Sequence, residues 1–367
     1  MQCDYFGKCG SCTLYHLDYP AQVSAKKANI EALFSPFDIK HFNFFTSEES
    51  HYRARAEFRI WKEGDTISYA MGSMDKKGAV CISHCPKVER SISELMPKLH
   101  ESIEANFILR EKLFCIEFLT SSEDLLVTMI YRKPLDKTWD NEAKELEKLF
   151  DICVIGRSRG VKRILSRDFV EERFLIAHKP YCYHIIEGGF SQPNRFINQV
   201  MIQWVLEHLE DCHDLLELYC GYGNFTIPLS QKFQNVLATE ISKTSITSAL
   251  KNCELNDVNN IIFLRMSAEE LTSAFNKERD FVRLKGIDLE RYQFSHVFVD
   301  PPRSGMDEES LTFISQFQTI IYISCNPQTL KRDLEVLSSH YKIEHFALFD
   351  QFPHTEHIES GVVLKRI

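Results

Sequence analysis

The sequence predicts a doubly wound α/β domain with a mostly parallel sheet, preceded by an α+β domain. Its length, 367 residues, is about twice that of an ordinary domain, so two cores are expected. In the second half, short apolar runs at 215–219, 235–239, 261–264, 296–299 and 319–323 alternate with helical patterns. That alternation marks strands buried on both faces and joined by crossover helices. In the first half, strand-like runs at 56–61, 125–130 and 153–156 lie between polar turns, with helical patterns at 90–105 and 138–150. That mixture predicts the α+β domain.

Residues 1–50 read as a Cys-rich segment followed by an amphipathic helix over 21–34, with Val23, Ala28, Ile30, Leu33 and Phe34 as its apolar side. The α+β domain then spans 51–188, and the α/β domain spans 189–367, divided at Gly188-Gly189. No repeat of solenoid period is present. With 44% hydrophobic and 26% charged residues, the chain has the composition of an ordinary globular protein that folds throughout. No apolar run is long enough for a membrane span, and the start, Met1-Gln2-Cys3-Asp4, is polar and acidic where a secretory leader is basic and then apolar. A cytoplasmic protein is expected, with no membrane contact and no obligate protein partner. The 12 cysteines, spread along a large chain, predict reduced thiols, metal ligands or a catalytic thiol rather than a disulfide framework. A net charge of −9 is unfavourable for binding phosphates, although clustered basic residues outweigh the global balance.

Four motifs fall at the carboxyl ends of predicted strands, where open α/β sheets collect their ligands. Glu217 to Phe225 carries Gly221 and Gly223 between a strand and a helix, which permits a tight turn and close backbone approach to a ligand. Glu240 ends the next strand, the place where an acidic residue accepts hydrogen bonds from ribose hydroxyls; its bland alternative is a neighbour of a helix cap. Asp300-Pro301-Pro302-Arg303-Ser304-Gly305 and Ser324-Cys325-Asn326-Pro327 end two further strands. No phosphate-binding Gly-x-x-x-x-Gly-Lys loop is present, which disfavours an ATPase.

At these residues the sequence resembles the RNA (uracil-5-)-methyltransferase family, closest to its tRNA-modifying branch. The likeness is carried by Phe190-Ser191-Gln192-Pro193-Asn194, the segments 216–225, 300–305 and 322–327, the segment from Phe349 to Glu359, and His51 to Trp61. It implies a Rossmann-like methyltransferase domain behind an RNA-binding domain. Carried over by matching motif, Gln192, Tyr219, Asn224, Glu240 and Asp300 would hold S-adenosylmethionine, Cys325 would be the nucleophile and Glu359 the general base. The implied substrate is the T-loop uridine of tRNA, position 54, with tmRNA as a further RNA partner; the alternative is 5-methyluridine formation in 23S rRNA, which the N-terminal cysteines favour. From a different class, a non-catalytic RNA-folding chaperone would not require the intact Cys325, Glu359 and cofactor motifs.

These residue types suit the chemistry. Carbon 5 of uracil is a poor nucleophile, and a thiolate adding at carbon 6 makes it a good one. A base must then remove the hydrogen at carbon 5 before the thiol is eliminated, a task for a carboxylate. The thiol needs a setting that favours its ionised form, such as Arg303 or a following helix N-terminus. Otherwise Cys325 would be a small buried hydrophobe.

Arg53, Arg55 and Arg59 alternate along one predicted strand face beside Tyr52 and Trp61, and Arg157, Arg159, Lys162, Arg163 and Arg167 form a second basic group. With the family likeness these read as phosphate-contacting surfaces that deliver a flipped uridine; without it they read as a solvated face. Cys3, Cys9 and Cys12 crowd one short loop, and Cys85, followed by Pro86, is the candidate fourth ligand. This pattern resembles the four-iron four-sulfur site of the rRNA-modifying branches and departs from the tRNA branch. Zinc is the competing metal. The cysteine loop is expected to lie far from Cys325, in a different domain.

Overall fold

The computed structural model describes residues 1–39 and 41–367. A seven-stranded sheet forms from the first half, in the order Ala79–Ile82, Thr66–Gly72, Arg55–Glu63, Leu113–Thr120, Leu125–Tyr131, Cys153–Ser158, Val161–Ile164. Its pairings are antiparallel except Leu125–Tyr131 with Cys153–Ser158, which the Lys137–Phe150 helix connects. That helix lies so close to the sheet that a β-carbon at Gly156 would stand 2.4 Å from the Trp139 ring. The Arg90–Ala105 helix buries Ile92, Leu95, Met96, Leu99 and Ile103, the spacing of one helical face against a sheet.

A hairpin, Phe169–Ile176 with Lys179–Ile186, follows, and Phe174, Ile176, Tyr181 and Tyr183 share a core with Ile197, Met201 and Val205 of the Arg195–Glu207 helix. The second half builds an eight-stranded sheet ordered Asn43–Phe45, Tyr341–Phe349, Glu359–Arg366, Thr319–Ser324, Phe294–Val299, Asp214–Leu218, Asn235–Thr239, Ile261–Leu264. The last five are mutually parallel. Glu359–Arg366 runs antiparallel to both of its neighbours. Apolar clusters cover both faces of this sheet, as a doubly wound architecture requires. No helix among the described residues is long and apolar enough to cross a membrane.

The first helix, Tyr19–Leu33, differs from its sequence reading. It buries Gln22, Lys26 and Ile30, while Ala28 is exposed. The reason is electrostatic: Lys26 Nζ sits 2.6 Å from Asp350 Oδ1, with both side chains nearly inaccessible, and it also donates to the carbonyls of Phe352 and His357. A buried ion pair therefore sets the helix face where an apolar stripe was expected. This helix and the edge strand Asn43–Phe45 both pack on the eight-stranded sheet.

Candidate active site

The strand ends of the second sheet open on a cavity of about 1380 Å³. A single drug-sized ligand fills at most about 1,000 Å³, so this cavity has room for a cofactor and a nucleoside together. At its floor the Asp214–Leu218 strand passes into a loop where Tyr219, Gly221 and Gly223 take φ of 62°, 56° and 85°. For tyrosine this left-handed backbone costs about 1–2 kcal/mol, a strain held by the surrounding fold. A β-carbon on Gly221 would meet nothing within 4 Å, so the loop backbone faces open space. Glu240 is fixed beside it: its Oε2 accepts from the Gly221 amide at 3.1 Å and its Oε1 from the Ser242 amide at 2.7 Å. The remaining lone pairs face the cavity, suited to ribose hydroxyls.

Gln192, Tyr219, Glu240, Asp300, Cys325 and Glu359 all line this cavity. Asn224 does not. Its side-chain amide exchanges hydrogen bonds with Asn198 at 2.8 and 2.9 Å and its oxygen accepts from Tyr222 at 2.9 Å, so it braces the loop from behind. Gln192 Oε1 accepts from Gln351 Nε2 at 2.5 Å, which leaves its NH₂ group to donate into the cavity.

Cys325 and Glu359 meet through strand register. Ser324 pairs with Ser360 in the antiparallel ladder, and one step further Cys325 and Glu359 face each other. Burial pushes the Glu359 carboxyl up to about 8, with Asp300 adding to the rise and Arg303 opposing it. Burial also raises Asp300 to about 7. The Cys325 thiol goes up to about 11, again chiefly through burial, with the charges of Glu359 and Asp300 adding and Arg303 drawing it down. Both expected thiolate aids are present, since Arg303 is adjacent and the Pro327–Leu337 helix starts two residues later with Asn326 as its cap. Burial outweighs them, so the free site at neutral pH holds a neutral thiol and a protonated carboxyl.

Cys3, Cys9, Cys12 and Cys85 line one small cavity together with Lys87. Burial raises the Cys3 and Cys9 thiols and lifts Cys12 to about 11. No group of three or more His, Cys, Asp or Glu among the described residues is arranged to hold a single metal ion. The loop is not confined to the first half: the Leu14 amide donates to His354 O at 3.1 Å, and His354 is bonded to Gln22 as well. The cysteine loop thus touches the segment leading into Glu359, where the sequence suggested separation. In the basic groups, Arg59 and Trp61 are exposed on the strand face. The second group is largely neutralised: Arg157 pairs with Glu187, Lys162 with Asp168, Arg163 with Asp140 and Arg167 with Asp124. Three of the four partner carboxylates, Glu187, Asp140 and Asp124, lie more than twenty residues away in sequence, so that set of charges looked freer than it is.

The doubly wound sheet and the cavity at its strand ends define a Rossmann-like fold of the kind methyltransferases use. Against known proteins, residues 18–367 match the family model of tRNA (uracil-5-)-methyltransferase. A Sulfurovum protein (strain NBC37-1) named tRNA/tmRNA (uracil-C(5))-methyltransferase is 52% identical over 370 residues, 100% of each chain. One of the same name from Stutzerimonas stutzeri (strain A1501) is 48% identical, covering 95% of this chain and 97% of that one. The crystal structure of Pyrococcus abyssi tRNA (uracil-54, C5)-methyltransferase in complex with S-adenosyl-L-homocysteine superposes with a TM-score of 0.76 at 23% identity, covering 96% of this chain and 85% of the other. The chain belongs to the tRNA (uracil-5-)-methyltransferase family and is an enzyme of that class.

Proposed function

We propose that this enzyme methylates carbon 5 of the T-loop uridine of tRNA, at the position 54 carried in the name of its archaeal structural neighbour, and the equivalent uridine of tmRNA. The observation that carries the reading is that Cys325 and Glu359, each one residue beyond the Ser324–Ser360 pair that ends the ladder, line one cavity together with Glu240. The names of the full-length relatives favour tRNA and tmRNA over rRNA. Cytoplasmic work on tRNA fits both.

Glu240 would orient the ribose of S-adenosylmethionine, and Gln192, Tyr219 and Asp300 would bound the rest of the cofactor. When bound, the cofactor supplies an electrophilic sulfonium methyl group. The Cys325 thiol gives its proton to solvent water, its Sγ adds to carbon 6 of uracil, and the ring electrons shift to the carbonyl oxygen at position 4. Carbon 5 then takes the methyl group, and the thioether departs with the bonding pair. Glu359, having lost its own proton to solvent water, takes the hydrogen from carbon 5 as a proton, and the electrons of that bond re-form the ring double bond and expel Cys325 as thiolate. Arg303 favours the anionic forms of both Cys325 and Glu359. The exposed Arg59 and Trp61 face would bear on the RNA backbone.

Cys3, Cys9, Cys12 and Cys85 would be the ligands of a four-iron four-sulfur cluster. The four thiols converge on one cavity. They do not form the tight group that zinc, with sulfurs about 2.3 Å away, would need. Lys87 brings a buried ammonium to the same cavity, bonded among the described residues to Ser11 O and Oγ, suited to a cluster whose thiolates carry negative charge. The cluster would pin the cysteine loop between the first sheet and the segment before Glu359.

The experiment is Cys325→Ala, assayed with tRNA and S-adenosylmethionine. Formation of 5-methyluridine should stop while the affinity for S-adenosylhomocysteine stays near wild type, because the cofactor contacts lie on other strand ends. Substantial turnover by the variant would refute the covalent mechanism.

A further inference from the structure

A second cavity, of about 980 Å³, begins where the first ends. Among the described residues only Cys325 and Arg303 line both, so the two side chains form the partition between them. The far walls are the Tyr19–Leu33 helix and the amino end of the Pro327–Leu337 helix, with Leu14 of the cysteine loop and His357 closing the ends.

The charge of this cavity is distinctive. Lys26 is spent on Asp350. Arg303 has no carboxylate within ion-pair distance among the described residues; its Nη2 donates to His357 Nδ1 at 2.9 Å, and its backbone carbonyl is held by Asn326 Nδ2 at 3.0 Å. Lys331 meets only Glu335, at 3.7 Å on the surface, a contact worth about 0–1 kcal/mol and easily exchanged. Glu356 is the one acidic residue of the lining. Asn29 and Gln328 bring exposed amide side chains, which donate and accept in the pattern of base edges.

A base seated against Cys325 remains joined to its neighbours in the strand. We propose that the second cavity is the subsite for the nucleotide adjoining the target uridine: Lys331, with Arg303, meets the phosphate between them, and Asn29 and Gln328 meet the neighbouring base. The target uridine then shares the first cavity with the cofactor and Glu359, while its neighbour in the strand lies beyond the partition. Substrate choice is exercised partly by residues that touch neither cofactor nor reacting atoms. The assignment rests on the proposed function and specifies how that RNA is held.

The test uses the full-length enzyme and a T-arm RNA hairpin, intact or with single phosphates replaced by neutral methylphosphonates. Lys331→Ala should raise KM for the RNA about tenfold, leave kcat and S-adenosylhomocysteine affinity unchanged, and lower the salt dependence of binding by about one ion. Lys331→Arg should restore KM. A methylphosphonate next to the target uridine should raise the wild-type KM similarly and add nothing in Lys331→Ala, whereas neutralised phosphates elsewhere should act additively. Asn29→Ala and Gln328→Ala should weaken the preference for the natural neighbouring base. An unchanged KM in Lys331→Ala, or additivity at every phosphate, overturns the subsite. Wild-type enzyme that makes no 5-methyluridine overturns the proposed function itself, a result distinct from either.

Discussion

Replacing Glu359 with glutamine tests the site electrostatics and the chemistry in one variant. The carboxyl is 4% exposed, and its rise from 4.5 to about 8 means that the folded protein keeps a proton the unfolded chain has released. Stability is therefore full below pH 4.5, falls as pH climbs, and has lost this contribution above about pH 8. At about 1.4 kcal/mol per pH unit the loss reaches at most about 5 kcal/mol, reduced where water and Arg303 reach the carboxylate. Glutamine has nearly the same shape and never ionises. Glu359→Gln should match the wild type in urea unfolding at pH 5 and exceed it by about 2–5 kcal/mol at pH 9, with the m-value unchanged. Asp300 titrates in both proteins, and its repulsion of an ionised Glu359, present only in the wild type, is part of the difference. An equal stability difference at the two pH values would refute the burial argument. The same variant should accumulate a methylated protein–RNA adduct that survives denaturation. Normal product release with no adduct would remove Glu359 from its role as base.

Two predictions concern the N-terminal segment. Protein purified anaerobically should be brown, with about four iron and four sulfide per chain, and Cys85→Ser should lose the colour and melt at lower temperature while binding S-adenosylhomocysteine normally; colourless protein with stoichiometric zinc would replace the cluster. Lys26→Met leaves Asp350 buried and uncompensated, which should cost about 3–5 kcal/mol in denaturant unfolding, with part recovered in Lys26→Met/Asp350→Asn. A loss below about 1 kcal/mol would show that the Tyr19–Leu33 helix is held by other contacts.

Much of the scaffold was legible because its signals are local. The runs at 296–299 and 319–323 fall inside strands of the fold that are buried along those residues, since a strand buried on both faces must be apolar along its length. The motifs at 217–225, 300–305 and 324–327 could be placed at strand ends for the same reason. Long-range pairing left no such mark. The segment 359–366 carries nothing that declares it an antiparallel insert between Thr319–Ser324 and Tyr341–Phe349, yet that insertion brings Glu359 opposite Cys325. Likewise the helix reading placed Ile30 and Phe34 on the buried side correctly, but nothing in it marked Lys26 as buried beside them, because its partner Asp350 is 324 positions away. The sequence by itself determined the elements, the parallel core and the identity of the reactive groups, because these depend on periodicity and residue chemistry. The tertiary structure alone decided which of them share a cavity, that Asn224 turns away from it, that the second basic group is neutralised, and that burial holds Cys325 and Glu359 in their protonated forms; each of these depends on distances between residues far apart in the chain.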